Sequence, residues 1–453
     1  MEWLKGNICK LPQKGDLSDC NNWRGVTILN VASKIFTRCI FERIQGPVEE
    51  KLHENQAGFR KGRGCMDMVF VLRRLIEESA EVQKTLFVNF VDFEKAFDSV
   101  FREALWKVLR EYGVPEKIVV MIKVMYEGFE CAVLHEGKLS EYFEVGTGVK
   151  QGCLLSGLLF LLAIDWLMKK VTEERETGIE WVEGAVLEDL DYADDLGLVS
   201  QNFEDTQEKM TRLSRKAKVL GLKVSQKKTE ILRINTEDRR SVLLNGEALK
   251  DCDKFTYLGC VVSKTGGTEE DDDNRITKAR NAFAKLRNIW NSSIYMTKTK
   301  LKLFDAIVKS ALMYGCESWA LTGKLEKKLR VFQQKSLRRI MKVFYPNLVS
   351  NAEILRRSGQ RDIVNEITDK KWRWVGHMAR KHPEHLTCQA FNWQPVGRRR
   401  RGRPRQTWRR AMEKEAAQAL GVTFEQVLED APNRDHWGRH VAAACATKAS
   451  CTQ

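Results

Sequence analysis

Two apolar stretches of this chain each deliver carboxylates at a fixed point, and they constrain its fold more than any other feature. Residues 85–92 (TLFVNFVD) are rich in aromatic and β-branched side chains and predict a buried strand that ends on Asp92. Residues 186–191 and 196–200 flank Tyr192-Ala193-Asp194-Asp195 and predict a hairpin with an acidic turn. A carboxylate leaving one strand and two on a tight turn converge when the strands are neighbours. Such carboxylates repel one another until divalent cations neutralise them, and hard oxygen donors suit Mg²⁺. Two such ions stabilise the attacking and leaving oxygens of an in-line phosphoryl displacement. Asp is also a common turn residue, so an isolated Y-x-D-D carries little by itself.

Around these motifs the first half mixes strands and helices. Helical periodicity over 103–112 stops at Gly113 with Pro115 beyond it. A second helix is expected from Asp205, with Glu208 as its capping partner, to Gly221. Strands are expected at 229–234 and 255–262. The acidic, glycine-containing stretch 264–274 (KTGGTEEDDDN) reads as a domain boundary. Beyond it Ile276, Ala279, Phe283, Leu286 and Trp290 form an apolar stripe at helical spacing. Helices near 299–314 and 325–344 follow, then a tail with a helix ending near Gly421. The expected organisation is an α+β catalytic half, a helical domain and a basic tail.

Charge narrows the choice of partner. The 453 residues carry 76 Lys and Arg against 61 Asp and Glu, a net charge of +15. That surplus suits a polyanion, either nucleic acid or an anionic membrane surface. Residues 371–410 hold eleven of those net charges. The longest apolar run, 153–164, is short of the ~20 residues that span a bilayer. The N-terminal MEWLKGNICK lacks a hydrophobic signal core. Twelve cysteines without a C-x-x-C pair predict free thiols in a reducing compartment. An intracellular protein, in the nucleus, the cytoplasm or both, is expected.

The motifs, in this order, resemble the reverse transcriptases of non-LTR (LINE-type, RTE-like) retrotransposons. Leu11-Pro-Gln-Lys-Gly-Asp-Leu17 with Asn22-Trp-Arg24-Gly-Val-Thr-Ile28 is similar to the family's first fingers motif, and Gln56-Ala-Gly-Phe-Arg60-Lys-Gly-Arg63 to its second. Gly148-Val-Lys-Gln151-Gly152-Cys153 resembles motif B, and Gly221-Leu-Lys-Val-Ser-Gln-Lys-Lys228-Thr229 motif D. Phe255-Thr-Tyr-Leu-Gly259 is similar to the primer grip. The resemblance implies an α+β right-hand polymerase: fingers and a palm with an antiparallel sheet over 1–263, a helical thumb over 275–345, and a basic helical nucleic-acid-binding region over 346–453. It implies an RNA-directed DNA polymerase with an RNA template, a DNA primer or target, and dNTPs as partners, and no membrane.

By the same resemblance, Asp92, Asp194 and Asp195 are the catalytic and metal-binding acids, for two Mg²⁺ ions or Mn²⁺ in their place. Asp195 tunes the site more than it coordinates. Phe97, five residues after Asp92, stands where the family places the ring beneath the incoming sugar; a bulky ring there excludes a 2′-OH. Arg24, Arg60 and Lys228 match positions that contact the triphosphate, for which Arg offers a bidentate fork and Lys a point charge. Lys228 is also placed to be the general acid to pyrophosphate. Gln151 matches a nucleotide-binding position, and Gly152 one that admits the template closely. Leu154 and Gly157 stand where the family usually has prolines, a departure expected to loosen the helix start. The chain begins almost on the first fingers motif, so the family's preceding endonuclease domain is expected to be lacking. The alternative is a truncated remnant that binds nucleic acid without turnover.

In the tail, His377, His382, His385 and Cys388 lie close together but fit no zinc spacing. Arg401-Gly-Arg403-Pro-Arg405 resembles the AT-hook core, which inserts arginines into a narrow minor groove. A phosphate-binding arm or a nuclear-import signal has the same composition.

Overall fold

The computed structural model describes residues 2–450 apart from 14, 183, 400, 403 and 404. The chain forms two compact units, Met1–Cys65 with Thr85–Cys252 and Met66–Lys84 with Asp253–Gln453. Among the described residues, no helix is long and apolar enough to cross a membrane.

The first unit contains two five-stranded sheets. In one, β1 (Lys5–Pro12) pairs antiparallel with β2 (Trp23–Leu29), which leads into α1 (Val31–Glu49). On its other side β1 pairs parallel with β4 (Glu130–His135). The second sheet is built around β3 (Leu86–Val91), all six residues of which are buried. Its remaining strands are β5 (Asp189–Tyr192), β6 (Asp195–Ser200), β7 (Glu230–Ile234) and β8 (Lys250–Cys252), in the order β8-β7-β3-β6-β5. Pairing is antiparallel except between β7 and β8. One core holds Phe87 and Val91 of β3 with α2 (Leu154–Thr172) and α3 (Phe203–Ala217), through Leu159, Phe160, Leu162, Met210 and Leu213.

The strand expected at 85–92 and the acidic hairpin are both present. The helix expected from Asp205 starts earlier, at Phe203. Its cap is Asn202, whose side chain accepts from the Asp205 N–H at 2.8 Å. The helix start after motif B is also intact without its prolines. α2 begins at Leu154, and a Cβ on Gly157 would meet the Phe59 ring at 3.0 Å.

The second unit takes residues 66–84, most of the helix Cys65–Glu81, and joins them to the chain after residue 252. Residues 255–262 do not form a single strand. β9 (Lys254–Tyr257) and β10 (Cys260–Ser263) fold back on each other through Leu258 and Gly259, both at positive φ. The acidic stretch 264–274 is itself structured. α4 (Glu269–Lys285) starts inside it, and Asp271 is fully buried. Its Oδ2 accepts from Arg73 Nη2 at 2.8 Å and Trp319 Nε1 at 3.0 Å, and its Oδ1 from Val261 N at 2.9 Å. Acids in a first helical turn also complement the helix dipole.

The blocks 275–345 and 346–453 share one core. Ile276 of α4 and Leu329 of α5 (Gly323–Ile340) pack in the same cluster as Ile354, and as Ile363, Val364 and Ile367 of α6 (Ile363–Ala379). The tail ends in α7 (Trp408–Leu420) and α8 (Arg434–Ser450), which carry Trp408 and Trp437 into the interior.

Candidate active site

Strand register brings the acids together. β3 and β6 pair Val91 with Leu196, so one step further along the two strands Asp92 comes opposite Asp195. Asp195 also pairs with Tyr192 across the hairpin, which leaves Ala193 and Asp194 as the turn. Side chains alternate between sheet faces, so Asp92, Asp195 and Tyr192 share one face, while Asp191 and Asp189 point into the interior beneath.

The segment after α3 is laced to the end of β3. Ser225 N donates to the Asp92 carbonyl at 2.8 Å and Glu94 N to that of Lys223 at 2.9 Å. Lys228 is thereby held with its ammonium 3.3 Å from Asp92 Oδ1. A second polar group comes from β2 and the turn before α2. Arg24 Nε donates to Gln151 Oε1 at 3.2 Å, and Gln151 Nε2 donates to Asp98 Oδ1 at 3.0 Å. Phe97, the neighbour of Asp98, is half-buried, stacked on Phe160 at 4.1 Å with the edge of Phe59 at 6.1 Å.

Two of the expected residues have structural partners instead of an open face. Arg60 is buried; its guanidinium donates to Glu49 Oε1 at 2.7 Å and to the carbonyls of His53 and Gln56. Gly152 sits at φ +108°, and a Cβ there would lie 2.5 Å from the Thr27 carbonyl oxygen. The close approach that requires glycine is to β2, where Thr27 N donates to the Gln151 carbonyl at 2.7 Å.

The acids repel one another. Desolvation by the surrounding protein, then repulsion from Asp194 and Asp92, pushes Asp195 up to about 6, although its side chain still reaches solvent. Desolvation and Asp92 also raise Asp194, against the pull of Arg24 and Lys228. Among the described residues, no three His, Cys, Asp or Glu side chains stand at metal-ligating spacing. The donor chemistry nevertheless fits a hard divalent cation: three carboxylates share one sheet end, and two of them are held above their ordinary range despite the Arg24 guanidinium and the exposed Lys228 ammonium.

Residues that sequence reasoning passed over also shape the site. Asp98 orients Gln151, and nothing in its spacing marks it. Gln56 opens the second fingers motif, and its buried side chain reaches the acidic turn. Asp189 and Asp191 are raised by desolvation, and the D-x-D alternation within β5 was the available signal.

In the tail, Arg405 Nη1 donates to the Thr265 carbonyl at 2.8 Å, Arg401 is exposed, and Arg403 lies outside the described residues. His385 caps the helix Leu386–Asn392, its Nδ1 accepting from Thr387 N at 3.2 Å.

A buried strand and an acidic hairpin that present carboxylates beside a lysine and an arginine–glutamine pair define a polymerase palm. Residues 11–262, more than half of the chain, match the reverse transcriptase (RNA-dependent DNA polymerase) family, and the chain belongs to it. Its fold is accordingly that of the right-hand polymerases. Residues 282–314 match a domain of unknown function (DUF6451).

The chain is 36% identical over 196 residues to the transposon TX1 uncharacterized 149 kDa protein of Xenopus laevis, covering 43% of this chain and 15% of that one. It is 28% identical over 222 residues to the Pol polyprotein of the type-2 retrotransposable element R2DM of Drosophila melanogaster, covering 47% and 21%. The resemblance to reverse transcriptases of non-LTR retrotransposons therefore holds, and the chain spans about a fifth or less of these two relatives. Among solved structures, apo telomerase of Candida tropicalis aligns over 87% of this chain and 70% of its own, at 13% identity and a TM-score of 0.44.

Proposed function

We propose that this chain copies an RNA template into DNA, extending a DNA 3′ end with dNTPs as the reverse transcriptase of a non-LTR retrotransposon. The observation that carries the reading is the register that sets Asp92 opposite Asp195 and next to the Asp194 turn, with Lys228 on Asp92. Asp92 and Asp194 would hold two Mg²⁺ ions, or Mn²⁺, with Asp195 tuning their charge. Those ions supply Lewis-acid stabilisation of the entering and leaving oxygens.

The remaining roles belong to the chain's own side chains. Lys228 is exposed and its ammonium is tethered through Asp92, so an incoming triphosphate competes for it. It then neutralises the departing pyrophosphate and gives it a proton from Nζ. Arg24, fixed by Gln151, contributes a guanidinium for the phosphates, and the same glutamine ties that position to Asp98. Phe97 closes the space beneath the sugar. Arg60 acts here as a brace of the fingers motif, since its Nε and Nη1 donate to Glu49, His53 and Gln56.

The test is primer extension on poly(rA)·oligo(dT) with dTTP and Mg²⁺, wild type against Asp194→Asn. Removing a ligand costs several kcal/mol of transition-state stabilisation, so extension should fall by about 10³-fold or more. RNA affinity, carried by dispersed Lys and Arg, should stay within about threefold. Extension by the variant within tenfold of wild type would falsify the ligand assignment. A wild type that binds RNA but never extends would favour the inactive remnant.

A further inference from the structure

The acidic turn is held from outside its own hairpin. Ala193, which leads into Asp194, adopts φ +56°, a left-handed conformation that alanine rarely takes. Three features of residues 55–58 stabilise it there. Main-chain bonds run from Ala57 N to the Asp191 carbonyl at 2.9 Å and from Asp191 N to the Asn55 carbonyl at 3.1 Å, covering the outer edge of β5. Gln56 is 1% exposed, and its Oε1 accepts from both Gly58 N at 2.8 Å and Ala193 N at 3.0 Å. Gly58 packs so closely that a Cβ would lie 2.3 Å from Ala193 N.

We infer that Gln56, backed by Gly58, is a positioning residue: its side-chain oxygen captures the Ala193 N–H and thereby fixes the backbone that aims Asp194 at the cation. The inference rests on the metal-site reading above for its consequence, but the contact itself is independent of it. Gln56 touches neither nucleotide nor primer in this role. Its loss frees a strained turn to relax, and Asp194 leaves its place while Asp92, on β3, stays.

The test uses the full chain and Tb³⁺, a hard, oxygen-seeking cation, as a luminescent probe of the carboxylates. Wild type, Gln56→Met (similar length, no strong acceptor), Gly58→Ala and Asp194→Asn are compared. Expected are a five- to tenfold weaker Tb³⁺ affinity in Q56M and G58A, and a similar rise in the Mg²⁺ concentration needed for half-maximal extension. KM for dTTP should stay within twofold. Amide hydrogen exchange supplies a further readout: the Ala193 N–H should be protected in wild type, which needs no variant to observe, and at least tenfold less so where Q56M folds.

An Ala193 amide that exchanges freely in wild type would overturn the inference even if Q56M failed to fold. So would a Q56M protein with a deprotected Ala193 amide and unchanged Tb³⁺ affinity. Tb³⁺ binding that survives in D194N would instead overturn the metal-site reading, leaving the Ala193 contact to be judged by exchange alone.

Discussion

The ring of Phe97 has Phe160 against one side, Phe59 at its edge, and a remaining portion open to solvent. Both a packing role and a gating role therefore have physical substance, and they predict different outcomes for Phe97→Val. Losing the aromatic contacts should cost about 1–2 kcal/mol of stability in either case. If the open portion lies under the sugar, UTP incorporation should also rise relative to dTTP by at least tenfold, about 1.4 kcal/mol of discrimination. Single-nucleotide incorporation with each substrate checks this; a lower melting temperature with an unchanged ratio would leave Phe97 as packing only. At this scale the sequence was informative where side-chain chemistry and strand pattern coincide. Asp92 could be placed because an apolar strand ends on it, and Asp194 because a hairpin turn carries it. Arg60 could not, because its acceptors are a glutamate eleven residues away and carbonyls whose direction only the folded chain defines.

Among elements, β3, the acidic hairpin and α2 follow directly from apolar runs and their bounds, whereas α4 does not. Its first turn lies in the acidic stretch that reads as a boundary because the partner of Asp271 is Arg73, 198 residues earlier in the chain. The helix Cys65–Glu81 that carries Arg73 hides a second such group. Glu77 accepts from Trp408 N at 2.8 Å and pairs with Arg74 at 2.7 Å. Burial still pushes it up to about 7, with Arg74 opposing. The unfolded chain ionises Glu77 near pH 4.5, so the folded state holds the extra proton between there and about pH 7. Stability from this group is complete below that window and is lost as pH rises through it. Glu77→Gln removes the titration. Urea unfolding at pH 5 and pH 8 should show the variant gaining on wild type by up to about 3 kcal/mol over that interval. A difference independent of pH would mean that Glu77 ionises normally.

For the whole molecule, the net charge of +15 and its concentration in 371–410 point to a polyanion, but the fold separates those arginines into two kinds. Arg405 donates to the Thr265 carbonyl, Arg409 pairs with Glu413 at 3.1 Å and Glu425 at 2.9 Å, and Arg410 pairs with Glu81 at 2.8 Å. Arg409 and Arg410, both partly buried, fasten the start of α7 to its surroundings, while Arg405 is itself exposed. Arg398 and Arg401 are exposed, and Arg399 contacts Glu81 at 3.2 Å with 63% of its side chain still accessible. A phosphate competes readily for an exposed pair, which is worth less than about 1 kcal/mol, and poorly for a packed one. Replacing the exposed Arg398, Arg399 and Arg401 by Gln should therefore flatten the dependence of log K on log salt, by ~0.9 for each phosphate no longer neutralised and up to about 3 for the set on duplex DNA. Melting temperature should hold. Replacing Arg409 and Arg410 should do the reverse, lowering the melting temperature while the salt slope changes by less than about 1. Salt titrations on A·T-rich and G·C-rich duplexes complete the test. An arm that enters the minor groove loses more on A·T-rich DNA when the first set is removed, and an arm that meets phosphates alone loses equally on both. An unchanged slope in the first set would show that the exposed arginines meet no nucleic acid, and the polyanion would then have to engage the basic surface elsewhere on the chain.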